Sequence, residues 1–371
     1  MVTDGWQTHV GASPRQPPLS WHPRDMHAQI RPALFDSYWR FAASRQSIFD
    51  RRWAGHPAPW TDDPILGQYK FCNTFRAADR VTQYLLSEVI YRPDRRDLPA
   101  EDVFCRIVLF RLFSKPETWE VLDTPERPLT VASLDPERQA EDLARLKLQQ
   151  AIYTSAFILA PPTKSLGSKH SHHLHLVKQM FAPGGLGGTL AKARSLRQIV
   201  YALLEWPTIG PFLAYQIAID LNYSPHLAFS ENDFTLPGPG AQRGLQKVFT
   251  DLRGTSPEHL ILAMVDEQEL HFSRLGLNFS GLFGRPLHAI DCQGLFCEID
   301  KYSRVAFPEL KSERVRIKQT FQPTGPLPAL VFPERWNLSP SQAPPSCLLT
   351  KAFNGGHLQR PRDLSGQGSL L

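Results

Sequence analysis

Residues 204–214 read Leu204–Glu205–Trp206–Pro207–Thr208–Ile209–Gly210–Pro211–Phe212–Leu213–Ala214. An apolar helix ends in this stretch, a tight turn follows, and a second apolar helix begins. Pro211 suits the first helical position, because its missing N–H would have no partner there, and Gly210 is free to adopt a positive φ. Such a turn directs backbone N–H groups outward at the positive end of a helix dipole, where a phosphate can bind. The alternative is an ordinary helix–turn–helix packing element.

Helical periodicity continues in both directions from this turn. Apolar spacing predicts helices over residues 35–49, 75–89, 103–112, 142–159, 195–205, 211–221, 241–252, 257–275 and 291–305, and a helix start at 168–175. Alternating strand patterns are scarce, and residues 129–133 are the one short candidate. The predicted fold class is therefore mainly α.

The two ends of the chain differ from this helical part. Residues 1–31 are rich in Pro, His, Gln and Gly without periodicity, which predicts a disordered arm. Residues 323–371 are rich in proline and predict an extended tail, although residues 327–336 are apolar enough to pack back on the body. The folded helical domain is then predicted at residues 32–322.

Composition limits the classes of function without selecting one. Of 371 residues 42% are hydrophobic, enough for a sizeable core, and a net charge of +5 permits a polyanionic partner without requiring one. Five cysteines without a CxxC pair favour a reducing, intracellular compartment, nuclear if the source is eukaryotic. No secretory signal and no run of 18 apolar residues occur, so no membrane partner is expected.

No metal site or cofactor is expected. The histidines that follow the Pro/Gly-rich loop are interpreted as the start of a helix rather than as ligands (His170, His172, His173 and His175). The phosphate-binding pattern GxxxxGK[ST] occurs nowhere, and the glycine-rich residues 184–188 lack its lysine. The chain is therefore not expected to phosphorylate a substrate by itself.

The turn at Gly210 resembles the helix-hairpin-helix of DNA glycosylases, whose hairpin reads hydrophobic–Pro–x–hydrophobic–Gly with Ala four residues on. Those enzymes carry a catalytic Asp shortly after the second hairpin helix, and the resemblance implies that role for Asp233. Bifunctional members have a Schiff-base lysine where this chain has Phe212, so lyase chemistry through that residue is excluded. The alternative for Asp233 is a helix cap or a turn carboxylate.

Further segments resemble the helical domain associated with 5-hydroxymethyluracil DNA kinases, a family grouped with the α-glutamyl/putrescinyl-thymine pyrophosphorylases. The resemblance covers about residues 35–305. It rests on Tyr38–Trp39–Arg40–Phe41, Arg45–Gln46–Ser47–Ile48–Phe49, Pro59–Trp60–Thr61–Asp62–Asp63–Pro64–Ile65–Leu66, Tyr69–Lys70–Phe71–Cys72–Asn73–Thr74–Phe75–Arg76–Ala77–Ala78–Asp79–Arg80, Glu231–Asn232–Asp233–Phe234, Gly238–Pro239–Gly240–Ala241–Gln242–Arg243–Gly244 and Cys297–Glu298–Ile299–Asp300–Lys301–Tyr302–Ser303–Arg304.

This resemblance implies a DNA-glycosylase-like helical fold and a part in the hypermodification of thymine-derived bases in DNA. A phosphorylated 5-hydroxymethyl group on the base would be displaced by an amine or an amino acid. DNA is the implied partner, together with a separate DNA-base kinase or hydroxylase, since the kinase domain is missing here.

Such chemistry requires cations for the leaving group and a carboxylate for the amine proton. Asp233 is the first carboxylate candidate, followed by Glu231, Asp300 and Glu298. Gly210 would hold a DNA phosphate, and Trp60, in a polar loop, would stack on an extruded base. The remaining candidates for binding substrate or DNA are Lys70, Asn73, Arg76, Asp79, Arg80, Arg243, Lys301 and Arg304.

Structural explanations without a catalytic or binding role remain open for these residues. The polar residues between Lys70 and Arg80 share one face if that segment is helical, and a solvated charged face is the default for such a pattern. Three functions compete: an enzyme of base modification or base removal, a DNA-binding module that delivers a separate enzyme, and an interaction scaffold unrelated to nucleic acids.

Overall fold

The computed structural model describes residues 28–154, 167–310, 316–317, 319–322, 327 and 329–338, and confirms a mainly helical fold. Two short strands, β1 (Gln29–Ile30) and β2 (Phe249–Asp251), pair antiparallel. Within the described residues the α-helices are α1 (Pro32–Trp53), α2 (Pro64–Gln68), α3 (Arg80–Tyr84), α4 (Ala100–Phe113), α5 (Pro116–Leu122), α6 (Pro136–Lys147), α7 (Lys169–Met180), α8 (Leu186–Ala191), α9 (Leu196–Leu204), α10 (Pro211–Asn222), α11 (Pro239–Val248), α12 (Pro257–Asp266), α13 (Gln268–Arg274) and α14 (Ala289–Ala306).

Two groups of helices make up the body. In the first, α1, α11 and α12 pack around α14, which brings the two ends of the domain together. In the second, α7, α8 and α10 pack around α4, and α9 lies beside α10. The helix predicted at residues 35–49 is confirmed as part of α1, where Tyr38 and Trp39 are fully buried. The Tyr38 hydroxyl donates to the carbonyl of Cys292 on α14 at 3.2 Å.

The closest helix contact in the core, between α11 and α14, depends on two glycines. A Cβ atom placed on Gly244 would lie 1.9 Å from the carbonyl oxygen of Phe296, and one on Gly240 would lie 2.4 Å from Sγ of Cys297. Since neither position has room for a side chain, the glycines set the distance between the helices.

Several predicted elements differ in the structure. The predicted helix at 75–89 is broken into a 3₁₀ turn (Arg76–Ala78), α3 and a π-helical turn (Leu85–Ile90), because Asp79 is extended and accepts a hydrogen bond from Asn73 N–H. The predicted helix at 257–275 is two helices, α12 and α13.

The strand prediction for residues 129–133 is wrong. The side chains of Thr130 and Ser133 each accept a hydrogen bond from the backbone N–H of the other, and this local bonding closes a turn. The helix predicted at 142–159 instead begins at Pro136, capped by Asp135, and ends at Lys147. Residues 155–159 lie outside the described part of the chain.

The predicted terminal segments are described only in part. Residues 1–27 lie outside the described residues, and the last residues of the predicted N-terminal arm include β1. In the proline-rich tail, Val331 exchanges two backbone hydrogen bonds with the side chain of Gln83, and Phe332 is buried. Among the described residues there is no candidate for a membrane-spanning helix.

Asp50 on α1 gives a testable dependence of stability on pH. Burial raises the pKa of its carboxyl group to about 7, although a hydrogen bond from Gln46 opposes the shift. A raised pKa means that the folded state binds the proton more tightly than the unfolded state, so stability falls as the pH rises from about 4 to about 7. We expect Asp50→Asn to raise the melting temperature at pH 8 and to weaken this dependence. Thermal denaturation at pH 5, 6.5 and 8 checks it, and an unchanged pH profile in the variant would contradict it.

Candidate functional site

In the segment predicted as a hairpin, residues 204–214, an exposed turn joins α9 to α10, and α10 is buried from Leu213 onward. Gly210 is exposed, and a Cβ atom placed on it would meet nothing within 4 Å. Gly210 does not use its freedom to adopt a positive φ: its φ is −84°, and Thr208 instead adopts the left-handed conformation with φ of 68°. The reason is that Gly210 precedes Pro211, which disfavours helical values at the preceding residue, so the turn is made two residues earlier.

The loop after α10 carries Asp233 and is fastened to α10 at both ends. The side-chain amide of Asn222 accepts from Phe229 N–H at 2.9 Å and donates to the carbonyl of Phe229 at 3.0 Å. At the other end, Gly238 lies so close to the Phe212 ring that a Cβ atom there would be 2.4 Å from it. Asp233 itself is exposed at the surface of this loop.

Glu231, two residues earlier, faces the interior. Its Oε1 accepts from Arg285 at 2.8 Å, whereas Oε2 has no hydrogen-bond partner among the described residues. Burial raises the pKa of Glu231, and Arg285 opposes that shift. Asp291 at the start of α14 accepts from the backbone N–H of Arg76 at 2.9 Å, and burial together with Glu231 raises its pKa to about 7. The loop thus places a buried carboxylate next to a second one.

The Arg76 side chain points into this buried cluster, where it forms an ion pair. Its guanidinium forms an ion pair with Asp220 at 2.9 Å, and Asp220 also pairs with Arg111. The described tail residues cover the neighbouring part of the cluster, since the Arg285 guanidinium lies 3.7 Å from the centre of the Trp336 ring. The contacts of this cluster hold α10, α14 and the segment before α3 together.

Asp300 belongs to a separate ion network on α14. Its carboxylate lies 2.8 Å from Lys247, 3.2 Å from Arg243 and 2.7 Å from Arg304. Burial alone would raise its pKa, but the hydrogen bonds from Lys247 and Arg304 lower it below the usual value. A carboxylate surrounded in this way is a poor proton acceptor. The Asp300 network and the Glu231 ion pair share no residue.

The polar residues between Lys70 and Arg80 do not share a helical face, as one interpretation of the sequence required. The segment before α3 is largely extended, with Lys70 and Arg80 exposed. Asn73 donates through its backbone to Asp79 at 2.8 Å and through its side chain to the carbonyl of Ala78 at 2.6 Å. These local hydrogen bonds fix the extended conformation of the segment and replace the backbone hydrogen bonds of a helix.

A cavity of about 330 Å³ lies where this segment meets the middle of α1 and the loop before α2. Its lining includes Arg45, Ile48, Trp60, Tyr69, Phe71 and Phe321. Trp60 is held there by a hydrogen bond from Nε1 to the carbonyl of His56 at 2.7 Å, and the Arg52 guanidinium lies 5.0 Å from its ring centre. The volume falls in the range of small-ligand pockets, roughly 300–1,000 Å³. The structure therefore combines aromatic faces with a cation in one recess.

Charged residues of α14 and of the segment before α3 lie next to the lining residues Phe71 and Arg45 without lining the cavity themselves. Glu298 accepts from the backbone N–H of Cys72 at 3.1 Å and pairs with Lys301 at 2.5 Å, and Lys301 lies 5.5 Å from the centre of the Phe71 ring. Burial raises the pKa of Asp79 to about 6, while the backbone bond from Asn73 and the charge of Arg45 oppose the shift. Asp79 is the acid that most favours the charged form of Arg45.

The structure therefore gathers some of the predicted residues and separates others. Trp60 lines the cavity, while Asp79 and Lys301 lie next to its lining residues Arg45 and Phe71. Glu231 and Arg76 belong to one buried cluster, and Asp300, Arg243 and Arg304 belong to a second. Four candidates are exposed and belong to neither cluster: Lys70, Arg80, Gly210 and Asp233. Arg45 belongs to one of the motifs that carry the family resemblance, but it was not predicted as a site residue. Its spacing of three residues from Ile48 and four from Phe49, which places it on the same side of the helix as these apolar residues, was the available signal.

The histidine segment is the start of a helix, as interpreted from the sequence. α7 begins at Lys169, its N-terminus is capped by Ser168, and His173 is buried with its Nδ1 3.0 Å from the Tyr153 hydroxyl. No group of three or more His, Cys, Asp or Glu suited to a metal ion occurs in the described part of the chain.

Fold and site together define a mainly helical protein with an exposed turn between α9 and α10 and an aromatic cavity that contains a cation. A family model described as "5-hmdU DNA kinase, helical domain" matches residues 32–312. The chain belongs to this family of 5-hmdU DNA kinase helical domains, which confirms the resemblance carried by the sequence motifs.

A curated relative agrees with this assignment. The 5-hmdU DNA kinase of Bacillus phage SP10 is 25% identical over 295 residues, which is 72% of this chain and 45% of the relative. The chain thus spans less than half the length of that relative. No solved structure matches it.

Proposed function

We propose that this protein binds DNA and acts on a 5-hydroxymethyluracil base after that base has been phosphorylated, replacing the phosphate with an amine. The main support is the cavity beside α1, which offers aromatic faces and a guanidinium in one recess. Membership of a family described by 5-hmdU DNA kinases, and the relative of that name, point to the same class of base.

The exposed hairpin is the proposed contact with the DNA backbone. Gly210 and Thr208 lie at the surface, so the first N–H groups of α10 can approach a phosphate. Three exposed cations precede and begin the first hairpin helix: Lys192, Arg194 and Arg197. Backbone contacts of this kind position the protein on DNA without reading sequence.

The cavity is the proposed binding site of the extruded base. An enzyme that modifies a base must take it out of the stack and hold it between apolar or aromatic surfaces. Trp60 is fixed by its bond to His56 and its contact with Arg52, so its ring is positioned before a base arrives. The rim includes the exposed residues Ala58, Pro59 and Gly67.

In the proposed reaction, the amine nitrogen forms a bond to the 5-methylene carbon of the base. The carbon–oxygen bond to the phosphate breaks, and the phosphate leaves with the electron pair. The amine proton passes to Asp79, whose pKa of about 6 suits a base that works near neutral pH. Asp233, the first candidate from the sequence, is the alternative proton acceptor, and Glu231 is a third.

One experiment distinguishes Asp79 from Asp233 as the proton acceptor. The full chain is incubated with a duplex that contains one phosphorylated 5-hydroxymethyluracil and with a mixture of amines and amino acids, and the nucleosides are analysed by mass spectrometry. We expect an amine-substituted nucleoside and free phosphate. Asp79→Asn should reduce product formation by about 100-fold, within the range of general-base effects, while DNA binding is retained. Asp233→Asn is the matched control and should leave the rate unchanged.

Three other results of the nucleoside analysis would change the proposal. Loss of product in Asp233→Asn but not in Asp79→Asn transfers the role to Asp233, as the sequence suggested. Release of a free base would indicate a monofunctional glycosylase. If the wild-type chain forms no product with any amine, the proposed reaction is wrong.

A DNA-presenting role is the second candidate. It is favoured by the phage relative, which is named as a 5-hmdU DNA kinase and of which this chain matches 45%. In that case the chain would bind and extrude the base for a separate kinase. Both functions require DNA binding that weakens strongly between about 50 and 200 mM salt, because phosphate contacts release counterions. Binding that is absent or insensitive to salt would favour a scaffold without nucleic acid.

A further inference from the structure

Arg45 places a cation in the lining of the cavity. Its guanidinium lines the cavity with Trp60 and Phe71, and among the described residues it has no hydrogen-bond or ion-pair partner. Asp79 and Glu298 favour its charge through space, yet neither approaches to ion-pair distance. Burial lowers the pKa of Arg45, which reflects the cost of holding a charge there.

Other buried arginines in this protein form ion pairs with carboxylates. Arg106 makes two bonds to the carboxylate of Asp123, at 2.9 and 2.8 Å. Arg76 and Arg111 share Asp220. A partly buried guanidinium without a partner is costly, and an external anion bound in the cavity would offset that cost. Arg52, over the Trp60 ring, adds a second positive charge beside the cavity.

We propose that Arg45 binds the phosphate on the 5-methylene group of the extruded base, while Trp60 and Phe71 contact the ring. This inference rests on the proposed function, which it extends by naming the residue that selects the substrate. A guanidinium presents paired donors that match phosphate oxygens, and the surrounding apolar walls strengthen that bond. An unphosphorylated 5-hydroxymethyl group would leave the Arg45 charge without a partner.

This selectivity places the protein after a phosphoryl transfer. The preceding reaction must join the 5-hydroxymethyl oxygen to the terminal phosphorus of a nucleoside triphosphate. The bond from that phosphorus to the bridging oxygen breaks, the diphosphate leaves, and the hydroxyl proton is lost. An enzyme of the nucleotide-kinase class must therefore supply the substrate that Arg45 recognises.

Binding measurements test the inference separately from catalysis. Three oligonucleotides of one sequence carry a single thymine, 5-hydroxymethyluracil or phosphorylated 5-hydroxymethyluracil, and fluorescence anisotropy gives the affinity of the full chain for each. We expect the phosphorylated base to bind about 10-fold more tightly than the other two, in line with a charge-assisted bond. Arg45→Gln should remove this preference while its affinity for the thymine oligonucleotide is unchanged. Arg45→Lys should retain part of it.

Arg40→Gln is the matched control, because Arg40 lies on the same helix and does not line the cavity. It should keep the full preference. Equal affinities for all three oligonucleotides in the wild-type chain, or an equal loss for all three in Arg45→Gln, would overturn the assignment of Arg45. If the preference depends on Arg45 but no amine product forms, the proposed reaction fails and the phosphate site stands. If the amine product forms and Arg45→Gln keeps the preference, the proposed reaction stands and the assignment of Arg45 as the phosphate site fails.

Discussion

Replacing Gly244 with alanine is expected to lower the free energy of unfolding by about 3 kcal/mol, at the upper end of the usual cost of overpacking. The added methyl group would lie 1.9 Å from the backbone oxygen of Phe296, so α11 and α14 must move apart. A backbone atom cannot move aside as a flexible side chain can. Lys247 and Arg243 on α11 bind Asp300 on α14, and this network would be displaced as well.

Gly294 provides the control in the same core. It lies within α14, and a Cβ atom there would meet nothing within 4 Å. Gly294→Ala should therefore stabilise the protein by roughly 0.5–1 kcal/mol through helix propensity alone. Urea denaturation of the two variants measures the difference. If Gly244→Ala is as stable as Gly294→Ala, the glycine contact between α11 and α14 does not exist as described.

Replacing Trp60 with alanine should reduce the formation of modified nucleoside by about 30-fold, because the stacking of one base on an aromatic ring contributes roughly 2 kcal/mol. Trp60 lines the cavity and is held in position by His56 and Arg52. Trp60→Phe keeps an aromatic face and should retain most of the activity. Mass spectrometry of the nucleosides at several DNA concentrations gives the rate for each variant.

Trp53→Ala is the control, since Trp53 contacts Phe283 at the end of α1 and does not line the cavity. Melting curves of all three variants separate lost folding from lost activity. A stably folded Trp60→Ala variant with full activity would remove the cavity from the proposed mechanism, and the Asp79 assignment with it. Equal losses in Trp60→Ala and Trp53→Ala would instead indicate a general effect on the fold.

The helical class and the position of the exposed hairpin could be predicted because both depend on local patterns. The apolar spacing of residues 35–49 predicts α1, and Pro211 after Gly210 marks the start of α10. Local patterns failed where short-range polar bonds compete with helical ones. The bond from Asn73 to Asp79 breaks the helix predicted at 75–89, and the side chains of Thr130 and Ser133 close a turn in place of a strand.

Local sequence patterns do not predict which side chain of a loop faces the interior of the protein. Glu231 and Asp233 are two residues apart and chemically alike, yet Glu231 pairs with Arg285 and Asp233 is exposed. Which of them faces inward depends on tertiary contacts of the loop, with α10 through Asn222 and with the start of α14 through Asn232. Asp300 illustrates the same limit, because its three cations come from α11 and α14, and their approach depends on Gly240 and Gly244.

From the sequence by itself follow the mainly helical class, the hairpin at Gly210 and membership of the 5-hmdU DNA kinase helical domain family, since periodicity, turn chemistry and motifs are local properties of a chain. Tertiary structure alone decided where the cavity lies and that Arg45 lines it with no ion-pair partner among the residues that the structure describes. Arg45, Trp60 and Phe71 line it from the first part of the domain, between residues 45 and 71, and Phe321 joins them from the other end of the domain. They meet only because burial of the apolar faces of α1 and α14 brings both ends of the domain together.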